Sequence, residues 1–125
     1  MHKVDEQKFN EVVTELKENE AIEEIFLLDK DGNIKFKSEE FALSETEAKD
    51  IIKAWTEKGL PLMFQGFRFA ILKKDEIQLA GKNTSQGKGN LVGSITKDGD
   101  YLVAHTKDSG MLLEWSVLIN KVAWK

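Results

Sequence analysis

Residues 67–106 read "FRFAILKKDEIQLAGKNTSQGKGNLVGSITKDGDYLVAHT". The runs "FRFAILKK" and "IQLAGK" flank Asp75-Glu76, and "LVGSIT" and "YLVAHT" flank "KDGD". Each run is rich in β-branched, aromatic and other apolar residues, and Asp98-Gly99 is a strong tight-turn signal. Strands joined by such short connections pair antiparallel, because a parallel pair needs a long crossover. This half of the chain is therefore expected to form an antiparallel meander.

The flanking segments are helical or hairpin-like. Phe9, Val12, Val13 and Leu16 fall on one stripe of an amphipathic helix starting near Asp5. "AIEEIFLLDK" and "DKDGNIKFKS" then form a hairpin around an Asp-Gly turn. A second helix has Ser44 and Glu47 as a capping box, Ala48, Ile51, Ile52 and Trp55 as its apolar stripe, and Gly59 at its end. Pro61, the only proline, stands just beyond. A last helix is expected from about Ser109 to the end, with Leu112, Trp115, Leu118, Ile119 and Val122 at helical spacing. Helix, hairpin, helix, meander, helix implies an α+β fold, with helices covering a largely antiparallel sheet.

At 125 residues, without repeats or linkers, the chain reads as one domain, residues 1–125, with residues 1–8 as a flexible N-terminal tail. No cysteine is present, which excludes disulfides and thiolate metal sites. The N-terminus has no apolar run, so a soluble, cytoplasmic protein is expected. The net charge of -4 conceals an asymmetry. Residues 1–60 hold nine Lys/Arg against sixteen Asp/Glu, and residues 61–125 hold nine against six. A basic second half suits an acidic partner or an anionic lipid surface. With Arg68 as the only arginine, nucleic acid is not the expected partner.

Motifs that suggest chemistry fail on spacing. Gly81 and Gly87 enclose five residues, where a phosphate-binding loop needs four, and Lys88 precedes Gly89 instead of a hydroxyl. A strand follows, not the helix whose amides would hold phosphate. Asp29, Asp31, Asn33 and Glu40 imitate a calcium loop, but Ile34 stands where that loop needs glycine. His2 and His105 have no neighbouring Cys or His, and Glu23 and Glu24 in a strand should face opposite ways. No metal, no cofactor and no catalysis are expected.

The segments "LSETEAKDIIKAWTEKG", "LPLMFQGFRFAILKK", "IQLAGKNTSQGKGNLVGSIT" and "YLVAHT" in this order resemble the profilin family, most closely its archaeal, Asgard-type members. The resemblance runs from Phe9 to the last helix. It implies a central antiparallel sheet with the N- and C-terminal helices on one face and a further helix on the other. It also implies an actin-monomer-binding, cytoskeleton-associated monomer that regulates filament assembly. Matched to the family's strands, the actin contacts fall on Arg68, Lys73 and Lys82. Lys88 and Lys107 extend that patch, and Glu114 and Lys121 join it from the last helix. The family also binds phosphoinositides through basic residues, here Lys73, Lys74, Lys82 and Lys88.

Profilins further bind proline-rich segments on aromatics of the terminal helices, which implies Phe9, Trp115 and Trp124 here. Val12 stands where the family has a second aromatic, so polyproline binding is expected to be weak or absent. The alternative from the architecture alone is a longin- or roadblock-like scaffold that binds a small GTPase or dimerises.

Overall fold

The computed structural model describes residues 6–18, 22–38, 43–107, 110 and 112–124. The elements are α1 (Glu6–Lys17), β1 (Ile22–Leu28), β2 (Ile34–Lys37), α2 (Glu45–Thr56), β3 (Leu62–Phe64), β4 (Phe67–Lys74), β5 (Gln78–Asn83), β6 (Gly89–Ile95), β7 (Tyr101–Thr106) and α3 (Leu112–Ala123). The helix α1 begins at Glu6, so residues 6–8 of the expected tail are helical; residues 1–5 lie outside the described residues, as does Ser109.

The seven strands form one antiparallel sheet in the order β2-β1-β7-β6-β5-β4-β3. Strand alternation divides the apolar residues between its two faces. Phe26, Leu28, Phe69, Leu79, Leu91 and Val103 pack against Ala48, Ile51, Ile52 and Trp55 of α2. Ile25, Leu27, Ala80, Val92, Leu102 and Ala104 pack against Phe9, Val12 and Leu16 of α1 and Trp115, Ile119 and Val122 of α3. The expected layering, terminal helices on one face and α2 on the other, is the observed one.

Three local details differ from the expected pattern. Ser44 Oγ accepts from the Glu47 amide at 3.0 Å, which is the forward half of a capping box. The Glu47 carboxylate, however, turns to the β3–β4 turn and accepts from the backbone and side-chain amides of Gln65. Gln65 (φ 52) and Gly66 (φ 82) make that two-residue turn, whose left-handed backbone matches the twist of the paired strands. Helix α2 ends at Thr56, before Gly59, and Lys74 Nζ donates to the carbonyls of Ala54 (3.0 Å) and Glu57 near its last turn.

The glycine-rich connection β5–β6 is held in place rather than loose. Buried Asn83 donates to the Arg68 carbonyl at 2.9 Å and to Gln86 Oε1 at 2.6 Å, while its Oδ1 accepts from the Gln86 amide. At its far end Gly89 (φ 85) lies so close to β7 that a Cβ would stand 1.7 Å from the Thr106 carbonyl oxygen. Only glycine fits there.

Candidate functional site

Residues paired across two strands share a face of the sheet. Ala70 is opposite Lys82, and Lys73 is opposite Ala80, whose side chain belongs to the core under α1 and α3. Arg68 and Ala70 flank Phe69, which faces α2, so both point the other way. Arg68, Ala70, Lys73 and Lys82 therefore lie on the α1/α3 side of the sheet, on strands β4 and β5. Arg68, Ala70 and Lys73 are exposed there and Lys82 is half-buried.

A register shift between Ile71 and Lys73 decides how the adjacent lysines divide. Lys74 is opposite Leu79, on the α2 side, where it bonds the carbonyls of α2. Lys73 Nζ donates to Gln78 Oε1 at 2.8 Å. Gln78 Nε2 in turn donates to the Ser116 carbonyl at 3.0 Å, so a hydrogen-bonded chain connects Lys73 to α3. Asn120 of the same helix donates to Ser94 Oγ at 3.0 Å, and Asn90 donates to the Gly110 carbonyl at 2.8 Å. Together these bonds seat α3 on β5 and β6, beside the basic strands.

The outer side of α3 is apolar where solvent would favour charge. Leu113 is 69% exposed and Val117 is 66% exposed, one turn apart, with exposed Glu114 and Lys121 around them. Leu72, 56% exposed, adds an apolar residue from β4. Sequence reasoning missed these three. The signal was available for the helix, since Leu113 and Val117 fall off the stripe of Leu112, Trp115, Ile119 and Val122. An apolar centre with a charged rim is the composition of a protein-binding surface.

Other expected contacts are placed elsewhere. Lys88 Nζ stands 4.5 Å from the centroid of the Phe67 ring, which packs against the α2-side core, so its ammonium is drawn away from Arg68 and Lys82. Lys107 is exposed just after β7, next to Gly89. Of the three aromatics implied for proline-rich segments, Phe9 is buried and stacks on Phe36 with centroids 5.4 Å apart. Trp115 is buried, with an indole N–H that has no partner among the described residues, and Trp124 is 41% exposed. The open groove along α1 is lined by Glu6, Gln7, Asn10, Glu11, Thr14 and Glu18 with Leu118, and by no aromatic ring.

A cluster of titratable groups lies at the start of β1. The His105 ring is buried, with Nδ1 2.6 Å from Glu24 Oε2 and 3.5 Å from Glu23 Oε1. Burial opposes the charged ring, but the hydrogen bonds to Glu24 and to the Lys88 carbonyl and the two nearby carboxylates outweigh it and raise its pKa above the ordinary value. The expectation that Glu23 and Glu24 face apart is corrected here. A bulge sets Ile22 opposite Thr106 but Glu24 opposite His105, which breaks the two-residue alternation.

Comparison with known proteins decides the family. No family model matches the chain. Loki profilin-3 from Lokiarchaeum sp. (strain GC14_75) is 62% identical over 122 residues, covering 97% of this chain and 99% of that protein. The chain belongs to the profilin family. Its members are actin-binding proteins and not enzymes. The profilin fold is equally plain in solved structures. LokiProfilin2 in complex with rabbit actin superposes with a TM-score of 0.78 at 22% identity, covering 96% of this profilin and 95% of that chain. LokiProfilin1 in complex with rabbit actin gives 0.79 at 20% identity, covering 98% and 95%. Family membership, more than the layered architecture, separates this profilin from longin and roadblock modules. None of its described helices is long and apolar enough to cross a membrane.

Proposed function

We propose that this profilin binds actin monomers through the surface formed by β4, β5 and the outer side of α3, and so regulates filament assembly as a cytoplasmic, single-domain monomer. The observation that carries the proposal is the hydrogen-bonded chain from Lys73 through Gln78 to Ser116, which joins the strands bearing Arg68, Leu72, Lys73 and Lys82 to the helix bearing the exposed Leu113 and Val117. The apolar residues would supply the desolvated centre of the contact, and the cations its orientation and rate. That two related Loki profilins were crystallised with rabbit actin supports the same partner class here. Glu114, Lys121 and Lys107 would lie at its rim, and Lys88 would contribute through its loop rather than directly.

A phosphoinositide head group would compete for Lys73 and Lys82, in a salt-sensitive manner. Lys74 is a poor participant, because leaving α2 would uncover two carbonyls. Proline-rich segments would bind weakly or not at all, since Trp124 alone among the three candidates presents a ring. The test is calorimetric titration of the protein into actin monomers, repeated with Arg68→Glu/Lys82→Glu and with a polyproline peptide. Binding of the wild type lost in the variant, with little heat from the peptide, is the expected result. Unchanged binding by the variant would overturn the surface.

A further inference from the structure

The bulge in β1 creates a donor set that the actin surface does not use. The Nδ1 of His105 and one carboxylate oxygen each of Glu23 and Glu24 lie within 4.8 Å of one another. The other ring nitrogen settles the tautomer. His105 Nε2 is bonded to the backbone carbonyl of Lys88, and a carbonyl only accepts, so Nε2 carries a hydrogen. In the neutral ring Nδ1 is then a bare lone pair aimed at two carboxylates. Three electron-pair donors converge with no donor hydrogen among them, an arrangement that a cation would reconcile.

A proton on Nδ1 is one such cation, and it serves Glu24 at 2.6 Å. It leaves the group of three with a net charge of about -1, counting ionised carboxylates and one imidazolium. A divalent ion over the neutral ring would bring that sum to zero. The setting favours neutrality, because the ring is buried against Phe64 and Phe69, at centroid distances of 5.0 and 6.0 Å. The bond from Nε2–H to a backbone carbonyl is also the support that metal-binding imidazoles ordinarily receive.

We propose that Glu23, Glu24 and His105 form a binding site for a divalent transition-metal ion of the zinc type. Imidazole plus carboxylate suits zinc, whereas calcium needs about six to eight oxygens. Bonds of about 2.0–2.1 Å to a tetrahedral ion place its donors roughly 3.3 Å apart. The present separations of 2.6 and 3.5 Å at Nδ1 need only small rotations of two partly exposed glutamates. Water would complete the coordination from the side of Glu23, whose side chain is 40% exposed. The ion would fasten β1 to β7 and, through the Lys88 carbonyl, steady the β5–β6 loop.

The test titrates zinc chloride into the metal-stripped full chain by calorimetry near neutral pH. One ion per chain is expected, with affinity at least about tenfold weaker in Glu23→Gln and in Glu24→Gln. A His2→Ala variant should bind as the wild type does, which excludes the terminal histidine. Nitrogen resonances of the His105 ring in the wild type should show zinc at Nδ1 with Nε2 still protonated, a readout that survives if a glutamine variant folds poorly. No binding, binding indifferent to both glutamates, binding lost with His2→Ala, or a His105 ring undisturbed by zinc would each overturn the proposal.

Discussion

The indole N–H of Trp55 donates to the backbone carbonyl of Asp75 at 2.9 Å, tying α2 to the turn between β4 and β5. The same ring meets Tyr101 edge-on, with centroids 4.8 Å apart. Trp55→Phe keeps much of the apolar contact but removes the donor. The expected loss is about 1–3 kcal/mol in urea unfolding, with an unchanged dependence on denaturant.

The surface proposed for actin should separate from stability. Arg68, Leu113 and Val117 are exposed, so Arg68→Glu and Leu113→Ser/Val117→Ser should each change stability by no more than about 0.5 kcal/mol per site. Both should weaken actin-monomer binding about tenfold or more. The charge reversal should act mainly on association rate and salt dependence, the apolar pair on dissociation. Stopped-flow binding at two salt concentrations checks this.

Gly89→Ala addresses the fold instead. Its Cβ would collide with the Thr106 carbonyl oxygen in a left-handed backbone conformation, so β6 and β7 would have to part. A loss of at least about 3 kcal/mol is expected by chemical denaturation, well beyond an ordinary surface substitution.

Acid should unfold the protein partly through its turns. The Asp75 carboxyl is held below its ordinary value by amide hydrogen bonds from Gln78 and Ile77. Burial pushes Asp29 up, but the backbone and side chain of Asn33 and the amide of Asp31 outweigh it, so Asp29 is also lowered. With folded values below the unfolded 3.8, the unfolded chain binds more protons in that window. The stabilisation is present above 3.8 and is lost as pH falls through the folded values. Thermal midpoints measured from about pH 5 down to about pH 2 should fall. An Asp75→Asn variant should fall less steeply over the same range.

Much of the fold was legible because period and turn chemistry agree with packing. Phe67, Phe69 and Ile71 alternate in sequence and share the α2-side core, and Ser44 caps the helix it was expected to cap. The site was less legible, for a specific reason. Two register shifts, at Ile22/Glu24 and Ile71/Lys73, break the alternation from which side-chain direction is inferred. A bulge has no residue signature of its own, so the meeting of Glu23, Glu24 and His105, and which of Lys73 and Lys74 takes the α2 side, emerge only in three dimensions. The diversion of Lys88 onto Phe67 likewise depends on a loop path that composition does not encode.

The parting of Lys73 and Lys74 bears on how such a protein can diverge. If Lys73 serves the proposed actin surface while Lys74 closes α2, selection on affinity and selection on folding do not contend for the same position. Position 73 could then change with the surface of the partner at the cost of one exposed hydrogen bond to Gln78. Position 74 is tied to the helix it closes, and a lineage that lost the lysine there would have to find another way to satisfy the end of α2.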